Sequence, residues 1–276
     1  MKPRTQTVSV WLLRFLTLLL LLIVLAPFFV VVAGAFLNTS LLGISTEQWA
    51  GNGDKPFLSW HWITYVWDLY HTSFYFSLKL AAASTLLCLA IGVPAAYVLA
   101  QSNFRGRRLL EALIMLPLAV PGIALSIALI QAYAVVRGSS WLILCGHVLY
   151  TMPFMVRLNI NALRSFDLKG LEVCARGLGA NFWQRFALVA LPNLRHAMVT
   201  GALVVFAVSW GEFNISFLLN TPVNQTFPAA LYATYTSNSF QVGSSATVIF
   251  LLVIIPALLA IQWVGGASSQ EMERIA

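Results

Sequence analysis

From Phe15 to Phe36 the chain carries no charged residue, and Thr17 is its one hydroxyl. About 20 consecutive apolar residues are what a helix needs to cross the hydrocarbon core of a bilayer. Comparable runs recur at 72–100, 110–136, 141–163, 197–219 and 246–264. Hydrophobic residues make up 59% of the 276 and charged residues 9%, against roughly 25% charged in an ordinary soluble domain. So few charges cannot clothe a water-facing surface of this size, so lipid must meet much of it. These runs predict an all-α membrane protein with six transmembrane helices.

The segments between the runs set boundaries and orientation. Lys2, Arg4 and Arg14 precede the first run. Ala33-Gly34-Ala35 has the small residues of a signal-peptidase site, yet the apolar stretch is longer than the roughly 7–15 residues of a signal peptide. That favours an uncleaved first span within residues 1–36. A polar segment, 37–71, contains the turn signal Gly51-Asn52-Gly53-Asp54. Its Trp60-His61-Trp62 cluster suits the lipid headgroup region. A core of five spans, 72–264, and a polar tail, 265–276, complete a single transmembrane domain.

Lys and Arg gather at the N-terminus, in the loop Asn103-Phe104-Arg105-Gly106-Arg107-Arg108, in the long stretch 164–196 and in the tail. The opposite loops hold only Lys55 and Arg137. This bias predicts that both termini and the 164–196 loop are cytoplasmic and that 37–71 is periplasmic. It also accounts for the net charge of +7 as membrane topology, with no nucleic-acid surface. Pro117, Pro121, Pro153 and Pro256 fall inside spans. Each removes a backbone donor and is either tolerated by neighbouring helices or helps shape a pathway.

Several chemistries are absent from the sequence. No GxxxxGK[ST] phosphate loop occurs, so any ATP hydrolysis belongs to another chain and this one is not read as an enzyme. Cys88, Cys145 and Cys174 form no disulfide framework and, with the histidines, no metal-ligand spacing; they read as small buried apolar residues. No cofactor is expected. His147 in the fourth span reads as a helix-packing hydrogen-bonder or a pathway residue.

Lys79 and Glu212 stand inside spans, where a charge costs at least about 2.5–3.5 kcal/mol and faces the bundle interior as a rule. Each lies about seven residues from the outer end of its span, hence about 10 Å deep. They are expected either to pair with each other or to line a translocation path, whose candidate residues are Lys79, Ser209, Glu212 and Asn214.

The most informative segment joins the fourth and fifth spans. Leu168, Leu171, Cys174, Ala175 and Leu178 recur at helical spacing, Gly177 and Gly179 follow, and Phe182, Phe186 and Val189 form a second stripe before Pro192. This predicts two short amphipathic helices around a glycine turn. An apolar stripe on a cytoplasmic loop must pack on its own domain or fit a partner's groove.

The same segment resembles the EAA loop of permeases in binding-protein-dependent ABC importers. A triad at Val173-Cys174-Ala175 is followed at the family spacing by Gly179, Val189 and Leu191-Pro192. The chain departs from the family at the triad, where Val173 replaces the usual Glu and Cys174 an Ala, with Glu172 just before. Further similarity lies in Ala95–Ala100, Leu116–Gly122, His147–Arg157 and Phe206–Phe213. The last pattern is nearest the permeases for polyamines, ferric iron, sulfate, thiamine and phosphonates.

The resemblance implies that a coupling helix, with Leu171, Glu172, Val173, Cys174, Ala175, Leu178, Gly179 and Ala180, docks on a cytoplasmic ATPase. It further implies a second permease chain, the same or a paralogue, and a periplasmic solute-binding protein. The chain would then pass a small polar solute inward by alternating access in a bacterial inner membrane. Acidic Glu47, Asp54, Asp68 and Glu212 tilt the expectation toward a polyamine-like cation. An ion-coupled carrier would show internal repeats and more coupling charges; a non-transporting scaffold would not need the amphipathic loop.

Overall fold

The computed structural model describes residues 4–37, 58–101, 104–165, 168–237 and 240–275. Among them every named element is helical, apart from one isolated antiparallel bridge between Leu37 and Leu58. Five helices are long and apolar enough to cross a membrane, and six if a sharply bent pair counts as one span. The turn at Gly51–Asp54, Glu47, Lys55 and Asn103 lie outside the described residues. The chain forms two compact units, residues 1–71 with 231–251 and residues 72–230 with 252–276.

In the first unit, α1 (Arg4–Phe36) is exposed from Val10 to Val30. Its C-terminal end is fixed to neighbours. The Ser59 amide donates to Phe36 O at 2.8 Å, and the Trp60 ring meets Phe36 edge-on at 5.0 Å. Ser245 Oγ donates to Ala35 O at 3.4 Å. α2 (His61–Gln101) begins well before the expected start at Thr72. Ser59 Oγ accepts the His61 amide at 3.0 Å and so satisfies one orphan donor of the first turn. α10 (Phe227–Ser237) and α11 (Phe240–Ile275) complete the helices that contribute to this unit, and α11 carries Pro256 without a break.

The second unit contains the rest of α2 and α3 (Arg107–Ala119), α4 (Gly122–Ala132), α5 (Ser140–Ser165), α6 (Leu168–Gly177), α7 (Phe182–Arg185), α8 (Leu191–Gly211) and α9 (Asn214–Leu219). α5 packs along α8, with Cys88, Val93, Tyr97, Met155, Leu194 and Val205 buried in one cluster.

Two expected spans are broken. α3 and α4 meet at 107°. Pro121 has no amide hydrogen and disfavours helical backbone in the residue before it, and Val120 is extended with φ −96° and ψ 128°. The fifth span, expected to be continuous over 197–219, ends instead at Gly211. Glu212 is extended there, and from the position before the N-cap Phe213 its Oε1 accepts the Ile215 amide in the first turn of α9 at 2.9 Å. The breaks adjoin: a side chain on Gly122 would collide with Asn214 Cβ at 2.9 Å.

Two sets of contacts tie connections together at the ends of this unit. At one end Asn224 Nδ2 donates to Gly138 O at 2.8 Å, joining the third-to-fourth and fifth-to-sixth connections. At the other, Glu111 on α3 pairs with Arg107 at 3.0 Å and with Arg164 of α5 at 2.9 Å. The expectation that all three cysteines are buried needs correction. Cys88 is buried, whereas Cys145 and Cys174 are exposed on this chain, because each lies on the outward face of its helix.

Candidate functional site

The 168–192 segment folds as an elbow whose geometry follows from local chemistry. α6 ends in two bonds, Gly179 N–H to Arg176 O at 2.9 Å and Ala180 N–H to Ala175 O at 3.0 Å. This is the Schellman pattern, and it requires left-handed backbone at the residue after the cap. Gly179 has φ +84°, where any other side chain is disfavoured. Within two residues the next helix begins. Asn181 Oδ1 accepts the Gln184 amide and Gln184 Oε1 accepts the Asn181 amide, both at 2.9 Å, which is a complete capping box.

Five residues of wide π-helix, Phe186–Ala190, lead into α8, and the Leu191 amide reaches back to Phe186 O. Pro192 explains the widening. It has no amide hydrogen for the Leu188 carbonyl, and its ring would crowd that carbonyl in a regular helix. The Leu-Pro ending therefore marks the point where the elbow hands over to a membrane helix.

The expected apolar stripe divides between two jobs. Leu168 is buried in the core cluster beside Tyr97 and Leu194. Leu171, Val173, Cys174 and Leu178 are exposed, Val173 at 68% and Leu178 at 90%. Ala175 and Ala180 are half-buried and Gly179 is exposed. Glu172 is different: it is 3% exposed and faces its own chain. Tyr97 Oη donates to its Oε1, and Arg185 Nε donates to its Oε2 at 3.3 Å. Arg185 Nη1 also donates to Ala180 O at 3.0 Å. Glu172 thus leaves the expected docking face, because a buried carboxylate needs its partners inside the fold.

Tyr97 and Arg185 were not singled out from the sequence. Tyr97 lies 75 positions before Glu172, and no periodicity links them. The Asn181-to-Gln184 spacing is the one part of the elbow's internal bonding that a reader of the sequence can recognise.

The candidate path residues are not brought together as a charge pair. Glu212 is 7% exposed and accepts a first-turn amide of α9, whereas Lys79 is exposed on this chain. Among the described residues the ion pairs are Arg107–Glu111, Arg164–Glu111 and Arg185–Glu172. Ser209 is buried and Asn214 exposed. His147 bridges three helices, its Nδ1 bonded to Ser209 Oγ at 2.8 Å and its Nε2 to Ser216 Oγ at 2.9 Å. All three side chains are buried, so the packing role expected of His147 is what the structure contains. Arg157 of α5, a cation within a span that was passed over in the sequence, is exposed on this chain.

Apolar helices long enough to cross a membrane, two broken spans and a capped elbow carrying an exposed apolar face define a multi-span membrane domain. The family model for the inner membrane component of binding-protein-dependent transport systems matches residues 89–273, and the chain belongs to that family. The Molybdenum transport system permease protein ModB of Escherichia coli (strain K12) is 28% identical over 218 residues, covering 72% of this chain and 94% of that protein. ModB of Mycobacterium tuberculosis (strain ATCC 25618 / H37Rv) is 31% identical over 211 residues, 70% of this chain and 78% of that protein. A solved bacterial ABC transporter involved in the import of the acidic polysaccharide alginate shares the fold, with a TM-score of 0.74 at 19% identity over 95% of this chain and 98% of its own. The chain is a multi-pass inner-membrane permease subunit of an ABC importer.

Proposed function

We propose that this permease carries a small oxyanion from periplasm to cytoplasm, driven by separate ATPase subunits that dock on residues 168–180. Two permease chains enclose the path, a periplasmic binding protein delivers the solute, and both termini and the 164–196 loop are cytoplasmic. The observation that supports docking most directly is the exposed apolar face of Leu171, Val173, Cys174 and Leu178 on a rigidly capped mount. Exposed apolar patches of this kind mark partner surfaces.

The native thiol of Cys174 gives a direct test of docking and orientation. A membrane-impermeant maleimide should label Cys174 in inside-out vesicles stripped of ATPase and not in right-side-out vesicles. Adding back the ATPase subunits should block the reaction. Labelling from the outside, or labelling that the ATPase leaves unchanged, contradicts the reading.

The oxyanion assignment, with molybdate as its first candidate, rests on the named relatives and on charge placement. Glu111, Glu172 and Glu212 are all engaged within the chain. Lys79 and Arg157 are exposed within spans and in none of the described ion pairs, and charges at depth call for a partner or an aqueous path. The cation preference loses Glu212 as its ligand. Lys79, Ser209, Glu212 and Asn214 are proposed to border the path, with Glu212 shaping the break at its edge.

Labelled molybdate uptake should disappear when the chain is deleted and return with the wild-type gene. Lys79→Gln and Arg157→Gln should each restore it about tenfold less well, the scale of one lost charge-assisted contact. Loss of spermidine uptake on deletion, with molybdate uptake intact, reverses the assignment.

A further inference from the structure

The elbow is bonded to the membrane domain through one buried polar cluster, and its members come from three separate elements. Glu172 belongs to α6, Arg185 to α7 and Tyr97 to the last turns of α2. Arg185 holds both the Glu172 carboxylate and the Ala180 carbonyl, so it clamps α6 and the turn after it to α7. The Tyr97 ring packs against Phe182 at 5.6 Å and Phe186 at 5.0 Å, while its hydroxyl donates to Glu172. Tyr97 is 1% exposed and Glu172 3%. A carboxylate this deep is held by its partners, and moving it without them would strand a charge.

We infer that Tyr97, Glu172 and Arg185 are positioning residues that make α6, α7 and the cytoplasmic end of α2 move as one body, so that displacement of the docked elbow is passed to α2 through the Tyr97–Glu172 hydrogen bond. This deepens the docking reading and rests on it. Leu168 and the aromatic contacts supply apolar packing, which is not directional. The directed bond between hydroxyl and carboxylate fixes register and does not slide. Hydrogen-bond networks joined to rigid helices are among the carriers of coupling between sites.

Hydrogen exchange on the assembled transporter tests the inference without requiring the solute. The permease with its ATPase subunits is compared with and without trapping by Mg-ATP and vanadate. In the wild type, exchange should change on trapping at residues 168–180 and at residues 93–101. Tyr97→Phe keeps the ring and its contacts with Phe182 and Phe186 and removes only the hydroxyl. It should leave the change at 168–180 intact and reduce that at 93–101 about tenfold, the usual scale of a coupling between sites. Glu172→Gln retains an oxygen acceptor for Tyr97 and should keep the response at 93–101, whereas Glu172→Ala should lose it.

An undiminished response at 93–101 in Tyr97→Phe overturns the inference while leaving docking in place. Absence of any change at 168–180 in the wild type, or failure of the ATPase to copurify, removes the docking reading and this inference with it.

Discussion

Leu178→Glu should release the ATPase from the permease while leaving the permease folded in the membrane. Leu178 is 90% exposed and sits at the end of α6, immediately before Gly179. A side chain that exposed buries almost none of its surface against the described residues, so the substitution carries little folding cost. An apolar contact in the centre of an interface is another matter, since an unpaired carboxylate buried there must shed its water. We expect ATPase affinity to fall on the order of a hundredfold, about 2.7 kcal/mol, with uptake falling in parallel. Copurification from detergent and solute uptake in whole cells read the two effects. Leu178→Met should behave as wild type, because it keeps size and polarity. Equal ATPase recovery with Glu and with Met at this position would remove Leu178 from the interface.

His147→Leu should destabilise the helix core strongly. The ring joins α5 to Ser209 of α8 and to Ser216 of α9 across the break at Glu212. Leucine fills similar space but leaves two buried hydroxyls without their partner, and an orphaned buried donor or acceptor costs about 1–3 kcal/mol. Each hydroxyl recovers part of that by turning to a carbonyl of its own helix, so the expected loss is about 2–4 kcal/mol. The thermal midpoint of the purified chain in detergent should fall, and uptake with it. Pairing His147→Leu with Ser209→Ala and Ser216→Ala should recover much of the midpoint, because no polar group is then left unmatched. A triple variant no more stable than His147→Leu alone would show that the three side chains do not act as a unit.

Much of this architecture is legible in the amino-acid order. The apolar runs give the spans because a bilayer accepts little besides a helix of that length. The contacts that join the connections, Asn224–Gly138 and Arg164–Glu111, have no such signature in the order of residues. The glycine turn of the elbow is readable because Gly179 occupies the one backbone conformation that other residues avoid.

The break after Gly211 is not readable. No proline marks it, and the group that takes up a first-turn amide of the new helix is an acid that a linear reading takes for a buried charge seeking a lysine. The same blindness affected Glu172. Its place beside the triad suggested the docking face, and only Tyr97 from α2 and Arg185 from α7 show that it points home. Side-chain partners far apart in sequence leave no periodic trace, so buried acids are where such a reading errs.

The bare surface of α1 bears on how the protein is made. Residues 10–30 are exposed on the folded chain, so this helix is comfortable in lipid without the spans that follow it. Lys2, Arg4 and Arg14 lie on its N-terminal side, and it can leave the translocon alone. The later helices are less able to do so. α5 buries Asn159, His147 and Thr151, and the fifth span is interrupted at Glu212, so these need one another's company before hydrocarbon suits them. Biogenesis thus joins an independent step at α1 to a collective one among the later helices. A misplaced α1 would be inherited by the helices that follow it.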